Sequence, residues 1–152
     1  MTNLQLTLSI LKPYIIKNPY ASTIIQNVIK ENNIEIVRHT SVKLTKALAE
    51  KFYEEHQGKF FLNRLQSFMC SGPIDVFILG GDDVISKWRT LLGPTKVYKA
   101  IYSHPDSLRG LFGLSDTRNV GHGSDSMEAA KREIEFFFSD FNVDQWLDEH
   151  RK

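Results

Sequence analysis

A chain of 152 residues, 41% hydrophobic and 24% charged, is long enough to bury a core and too apolar to be a disordered tail. A net charge of +1 with no basic run argues against broad nucleic-acid binding, and no apolar run is long enough to span a membrane. The single cysteine, Cys70, rules out an intramolecular disulfide, fits a reducing compartment, and lies in an apolar segment as core filler.

Leu4, Leu6, Leu8 and Ile10 alternate with Gln5, Thr7 and Ser9, which predicts a half-buried first strand. It ends at Leu11-Lys12-Pro13. The proline keeps Lys12 extended, so this lysine is either a solvated strand end or a point charge aimed at a phosphate. Ile24, Ile25, Val28 and Ile29 predict a helix from Ala21 to Asn32, and the β-branched stretch from Ile34 to Leu44 predicts a second strand. Thr45 is the expected cap of a helix running to about His56, with Leu48, Ala49 and Phe52 inward and Tyr53 near its end. Phe60 to Cys70 reads as helix, with Phe61, Leu65, Phe68 and Met69 as its apolar set. An exposed aromatic at its start would offer a stacking platform.

Ile74 to Leu79 predicts a third strand closed by Gly80-Gly81. Asp82 or Asp83 then caps a helix through Leu92 that buries Val84, Ile85, Trp88 and Leu91. From Thr95 to Gly113 no period survives, which predicts a long irregular segment of functional or mobile character. A short strand leads into Asn119-Val120-Gly121-His122-Gly123-Ser124-Asp125. There one histidine stands between two glycines that leave room for a polar partner, just before a helix. Asp125 and Glu128 read as a capping box. The helix carries Met127, Ala130, Ile134 and Phe137 on one face, with Glu133 at the edge of that stripe. Val143 to His150 is a last amphipathic segment. This order predicts an α+β, ferredoxin-like (βαββαβ) fold. Its antiparallel four-stranded sheet would carry helices on one face and extra helices besides, in one domain over residues 1–152.

Familiar phosphate loops, metal-ligand spacings and the G-x-S-x-G elbow are absent from the sequence. What remains is His122 in an open turn, Glu133 one helical segment on, and Lys12, Arg89, Arg109 and Asn119. A neutral imidazole attacks phosphorus well when one ring nitrogen is free and the other is hydrogen-bonded. Cations would neutralise the transferring phosphoryl group. From pattern alone His122 reads equally well as a surface turn residue, and Glu133 as a half-buried surface glutamate.

The stretch Asn119 to Asp125 resembles the active-site signature N-x-x-H-[GA]-S-D of nucleoside diphosphate kinases. The likeness runs through nearly the whole chain. It includes Leu11-Lys12-Pro13, Phe60-Phe61, Ser71-Gly72-Pro73, Trp88 to Gly93, Ser107-Leu108-Arg109-Gly110 and Ala130 to Phe137. Leu91 to Thr95 and Asp116 to Asn119 are closest to the family's divergent type 6 branch. The resemblance implies that His122 takes the γ-phosphoryl group of ATP on Nδ1 and that Glu133 orients the ring. Lys12 and Asn119 would contact sugar and phosphates, and Tyr53 would lie beside the reacting group. Arg89, Thr95 and Arg109 would hold the outer phosphates, and Phe61 would stack on the base with Leu65 next to it. It further implies Mg²⁺ bridging the phosphates rather than held in a protein cage, ATP and nucleoside diphosphates as partners, and a homo-oligomer.

Two departures carry expectations. Lys12-Pro13-Tyr14 stands where the family usually has Lys-Pro-Asp, and loss of the aspartate's hydrogen bonds is expected to loosen the site. The span from Thr95 to Arg109 is a few residues longer than in typical members, which argues against the family's usual hexamer and against full activity. The rival reading is therefore a low-activity member working as a binding partner or as a protein-histidine phosphotransfer module. RNA binding on a ferredoxin-like sheet lacks its aromatic signature. The N-terminus lacks the basic start and apolar core of a cleavable signal, so a cytoplasmic or mitochondrial location is expected.

Overall fold

Four strands, β1 (Leu4–Leu11), β2 (Glu35–Val42), β3 (Ile74–Asp82) and β4 (Gly121–Gly123), form one antiparallel sheet in the order β2-β3-β1-β4. This is the expected ferredoxin-like arrangement. The computed structural model describes residues 3–53, 67–115 and 119–151. Within them the helices are α1 (Pro13–Ile16), α2 (Pro19–Glu31), α3 (Lys46–Phe52), α4 (Val84–Leu92), α5 (Val97–Ser103), α6 (Leu108–Phe112), α7 (Met127–Phe137) and α8 (Val143–His150). No helix of the described residues is long and apolar enough to cross a membrane.

β1 is buried on both faces from Leu6 onward, not half-buried as its alternation predicts. The cause is its place in the sheet, paired with β3 on one side and β4 on the other. The same holds for β3, whose side chains alternate between two cores. Val76 and Ile78 pack with Ala130, Ile134 and Leu147, while Phe77 and Leu79 pack with Ile25, Ile29 and Trp88. Helices therefore cover both faces of the sheet rather than one. Burial of each such aliphatic side chain contributes roughly 1.5–3 kcal/mol, enough to draw Thr7 and Ser9 inside with their apolar neighbours. Thr7 is used there: its Oγ1 accepts the Ser124 N–H.

Other expectations need correction. Gly80 and Gly81 do not close the third strand but continue it, paired across to Leu6 and Gln5. A Cβ on Gly80 would come within 3.1–3.2 Å of Trp146, Leu6 and Val37, so close packing, not a turn, requires glycine there. Leu48 is 42% exposed, because α3 turns Ala49 inward and ends on the buried Tyr53. Asp83 precedes α4 in a left-handed conformation (φ 52°) and makes no capping bond; its carboxylate accepts from Asn3 instead. The stretch from Thr95 to Gly113 is not irregular, since it holds α5 and α6. Each spans two turns at most, and outward-facing Tyr98 and Tyr102 mask the helical period. Most of the helix predicted over Phe60 to Cys70 lies outside the described residues.

Candidate active site

The site grows out of β4. This three-residue strand contains His122 itself, so the histidine sits in the sheet, opposite Ile10 of β1, and not in an open turn. Directly paired residues share a face, which puts the imidazole on the Ile10 side, the side covered by α7. The two flanking glycines answer to packing within the chain and also line the cleft beside His122. A Cβ on Gly121 would lie 2.5 Å from the Ile10 carbonyl oxygen, and one on Gly123 would lie 2.7 Å from Cδ1 of Trp88. The Trp88 Nε1–H also donates to the His122 carbonyl at 3.2 Å.

α7 begins at Met127 with Ser126, not Asp125, as its cap: the Ser126 hydroxyl accepts the Ala129 N–H at 3.1 Å. That start carries Glu133 inward, where it is 5% exposed. His122 Nε2 and Glu133 Oε1 are 2.8 Å apart. A carboxylate oxygen can only accept, so the ring proton resides on Nε2 and the lone pair on Nδ1. The same Oε1 accepts the Ser124 hydroxyl at 2.8 Å, and Ser124 Oγ in turn accepts the Leu8 N–H of β1. Glu133 is thus fixed from the sheet as well as from its own helix. Phe52 meets the imidazole edge-on at 5.8 Å, and the ring remains 28% exposed. Ser124 had a legible signal, because residues two apart in extended chain share a face.

On the other side of His122 the backbone is strained. Val120, fully buried, has φ 78°. Its carbonyl accepts the Lys12 N–H at 2.9 Å, and its N–H donates to the Tyr14 hydroxyl at 2.8 Å. Tyr14 donates in turn to the Phe112 carbonyl at 3.1 Å. The departure at Tyr14 therefore brings hydrogen bonds of its own, where a loosened site was expected.

Three cations, Lys12, Arg89 and Arg109, converge on the wall of one cleft of about 310 Å³, joined there by Tyr53, Thr95, Asn119, His122 and Glu133. Eight of the ten residues singled out in the sequence thus meet in one place. The other two, Phe61 and Leu65, lie outside the described residues. Asp125, which the sequence reading assigned to the helix cap, lines this cleft as well. Lys12 is buried and donates to Asn119 Oδ1 at 2.6 Å. Burial, with Arg109 nearby, pulls its ammonium down to about 7. Arg109 spends much of its donor fork on the protein, giving Nε to the Asn119 carbonyl, Nη1 to Gly93 and Nη2 to Gly121. Burial first, and Arg89 second, lower it to about 10. Tyr53 stays a neutral phenol, because burial, with Glu133 and Cys70 as lesser causes, pushes its ionisation well up. Among the described residues no group of three or more His, Cys, Asp or Glu is placed to hold a metal ion.

A family model described as nucleoside diphosphate kinase matches residues 5–143. The chain is 49% identical to nucleoside diphosphate kinase 6 of Danio rerio over 144 residues, covering 95% of this chain and 82% of the relative. It is 47% identical to nucleoside diphosphate kinase 6 of Homo sapiens over 146 residues, covering 96% and 78%. Among solved structures, the nucleoside diphosphate kinase of Aquifex aeolicus superposes with a TM-score of 0.85 at 34% identity, covering 92% of this chain and 99% of that one.

Proposed function

The chain belongs to the nucleoside diphosphate kinase family, and from that premise we propose that it moves the γ-phosphoryl group of ATP, or another nucleoside triphosphate, to a nucleoside diphosphate through phosphohistidine at His122. The observation that carries the reading is the chain of contacts from Ser124 through Glu133 to Nε2 of His122, which leaves Nδ1 with the lone pair. In the first half-reaction Nδ1 attacks the γ-phosphorus, the bond from that phosphorus to the β,γ-bridging oxygen breaks, and the diphosphate leaves with the electron pair. The imidazole gains positive character as the N–P bond forms, and the Glu133 carboxylate stabilises it through Nε2–H. In the second half-reaction a terminal oxygen of another nucleoside diphosphate attacks the same phosphorus, and Nδ1 recovers its lone pair.

Lys12, Arg89 and Arg109 offset the charge of the phosphates, with Thr95 and Asn119 as polar contacts. Tyr53, kept neutral, is a donor beside the transferring group. Mg²⁺ would enter this site with the nucleotide: Lys12, Arg89 and Arg109 face two carboxylates in the cleft wall, and of these Asp125 is the one not tied to His122. Asp125 would be its protein contact, and its charge would help offset that of the phosphates.

The test is incubation with γ-labelled ATP followed by GDP. Acid-labile, base-stable label on the wild type that chases into GTP is the expected result, with a loss of about 10⁴-fold or more in His122→Ala. Equal labelling of the two proteins would overturn the mechanism. Label that stays on the protein would favour the rival phosphotransfer module.

A further inference from the structure

We propose that Tyr14 is a positioning residue for the phosphohistidine reaction, holding the strained peptide that precedes the nucleophile strand. This rests on the reading of His122 as nucleophile. Val120 adopts φ 78° at the centre of a γ-turn closed by the Gly121 N–H on the Asn119 carbonyl at 3.0 Å, a rare and strained form that a β-branched side chain disfavours. Such a conformation persists only where its surroundings over-determine it, and here both polar groups of the residue are occupied. The Val120 carbonyl is taken by the Lys12 N–H at 2.9 Å. The Val120 N–H, buried with its residue, is taken by the Tyr14 hydroxyl at 2.8 Å. The hydroxyl is itself aimed, since it donates to the Phe112 carbonyl at 3.1 Å.

The placement of Tyr14 gives these two bonds consequence. Tyr14 lies two residues past Lys12, so the short stretch from Lys12 into α1 holds both polar groups of Val120. Phe112 belongs to α6, the helix that also carries Arg109. The phenol thereby ties α1, α6 and the peptide two residues before His122 into one unit, alongside the Arg109 bonds to Asn119 and Gly121. Removing the hydroxyl leaves a buried N–H and a carbonyl without this partner and releases the strain toward β4. Displacement of the attacking nitrogen by a fraction of an ångström slows transfer while leaving the phosphate contacts of Arg89 and Thr95 in place.

The deciding variant is Tyr14→Phe, which keeps the ring and its packing near Phe68. In single-turnover labelling with γ-labelled ATP, the rate of His122 phosphorylation is expected to fall roughly ten- to a hundredfold. The ATP concentration for half-maximal rate should change by less than about twofold. Tyr20→Phe, at a 71% exposed tyrosine, should match the wild type. A folded Tyr14→Phe protein with an unchanged rate overturns the proposal, as does one whose loss lies entirely in half-saturation. A second measurement needs no variant: the Val120 amide of the wild type should be strongly protected from hydrogen exchange. Label on His122 with an unprotected Val120 amide would sink the clamp alone. Absence of label on the wild type would sink the kinase reading and, with it, any role of Tyr14 in transfer.

Discussion

The two walls of the cleft are built by different means. The wall that bears His122 and Glu133 is sheet and helix: β4 pairs with the buried β1, and α7 packs Ala130 and Ile134 onto it. The facing wall, which brings Thr95 and Arg109, is carried by a loop and two short helices. There Tyr98 is 55% exposed and Tyr102 86%. The first is held mainly by apolar burial. The second also buries Leu108 against Val120 and Trp88, but it adds polar ties to the backbone beside His122, with Arg109 bonded to the carbonyls of Asn119 and Gly121 and Asn119 bonded to Thr95. The comparison teaches that the reacting nitrogen sits on a sheet strand faced by a packed helix, while Thr95 and Arg109 are brought in by short elements, the kind of region where local opening costs less.

The sharpest way to break that contrast is on the rigid wall. Glu133→Gln keeps the size and an accepting oxygen but removes the negative charge that stabilises the imidazole during transfer. We expect His122 phosphorylation in rapid-quench experiments to slow by about a hundredfold, with an unchanged melting curve. A loss smaller than about threefold would mean that the Ser124–Glu133–His122 chain is merely structural.

Lys12 stands where the walls meet, and its titration sharpens the comparison. Burial and Arg109 hold it at about 7 in the free protein. A bound polyphosphate favours the charged form, so the complex holds the proton more tightly than the free protein does. Binding above pH 7 therefore takes up a proton, and affinity falls as pH rises from about 7.5 to 9, by at most about tenfold per pH unit. For folding the sign is opposite. The unfolded lysine titrates near its ordinary 10.5, so this group's penalty is fully present below about 7 and is relieved as pH rises toward 10.5. Calorimetry of nucleoside diphosphate binding in buffers of different ionisation enthalpy checks the proton uptake; zero uptake at pH 8 would contradict it.

The smallest effect is expected on the loop wall. Tyr102→Ser removes a mostly exposed ring from α5 and should change unfolding free energy by no more than about 0.5 kcal/mol, with phosphorylation kinetics intact. A larger loss in urea denaturation would show that α5 is supported by contacts its exposure hides.

Much of this was legible in the chain. The strands, the four-stranded order and the group of His122, Glu133, Lys12, Tyr53, Arg89, Thr95, Arg109 and Asn119 follow from periodicity and from the ordered likeness to one family. The sequence by itself singled out which residues would meet through the ordered motifs it shares with one family, since spacing alone leaves His122 as readily a surface turn residue. Only the tertiary structure decided how they are held. Burial of β1 on both faces depends on which strands flank it, a non-local fact that made Thr7 a buried hydrogen-bond partner. The helices of the Thr95–Gly113 stretch escaped notice because outward aromatic residues broke the period. Asp125 looked like a cap because its spacing to Glu128 is right, yet Ser126, one residue on, takes the helix N-terminus and leaves Asp125 to the cleft. Nor could spacing show that Tyr14, read as a departure, reaches across 106 positions in the sequence to the peptide before the histidine.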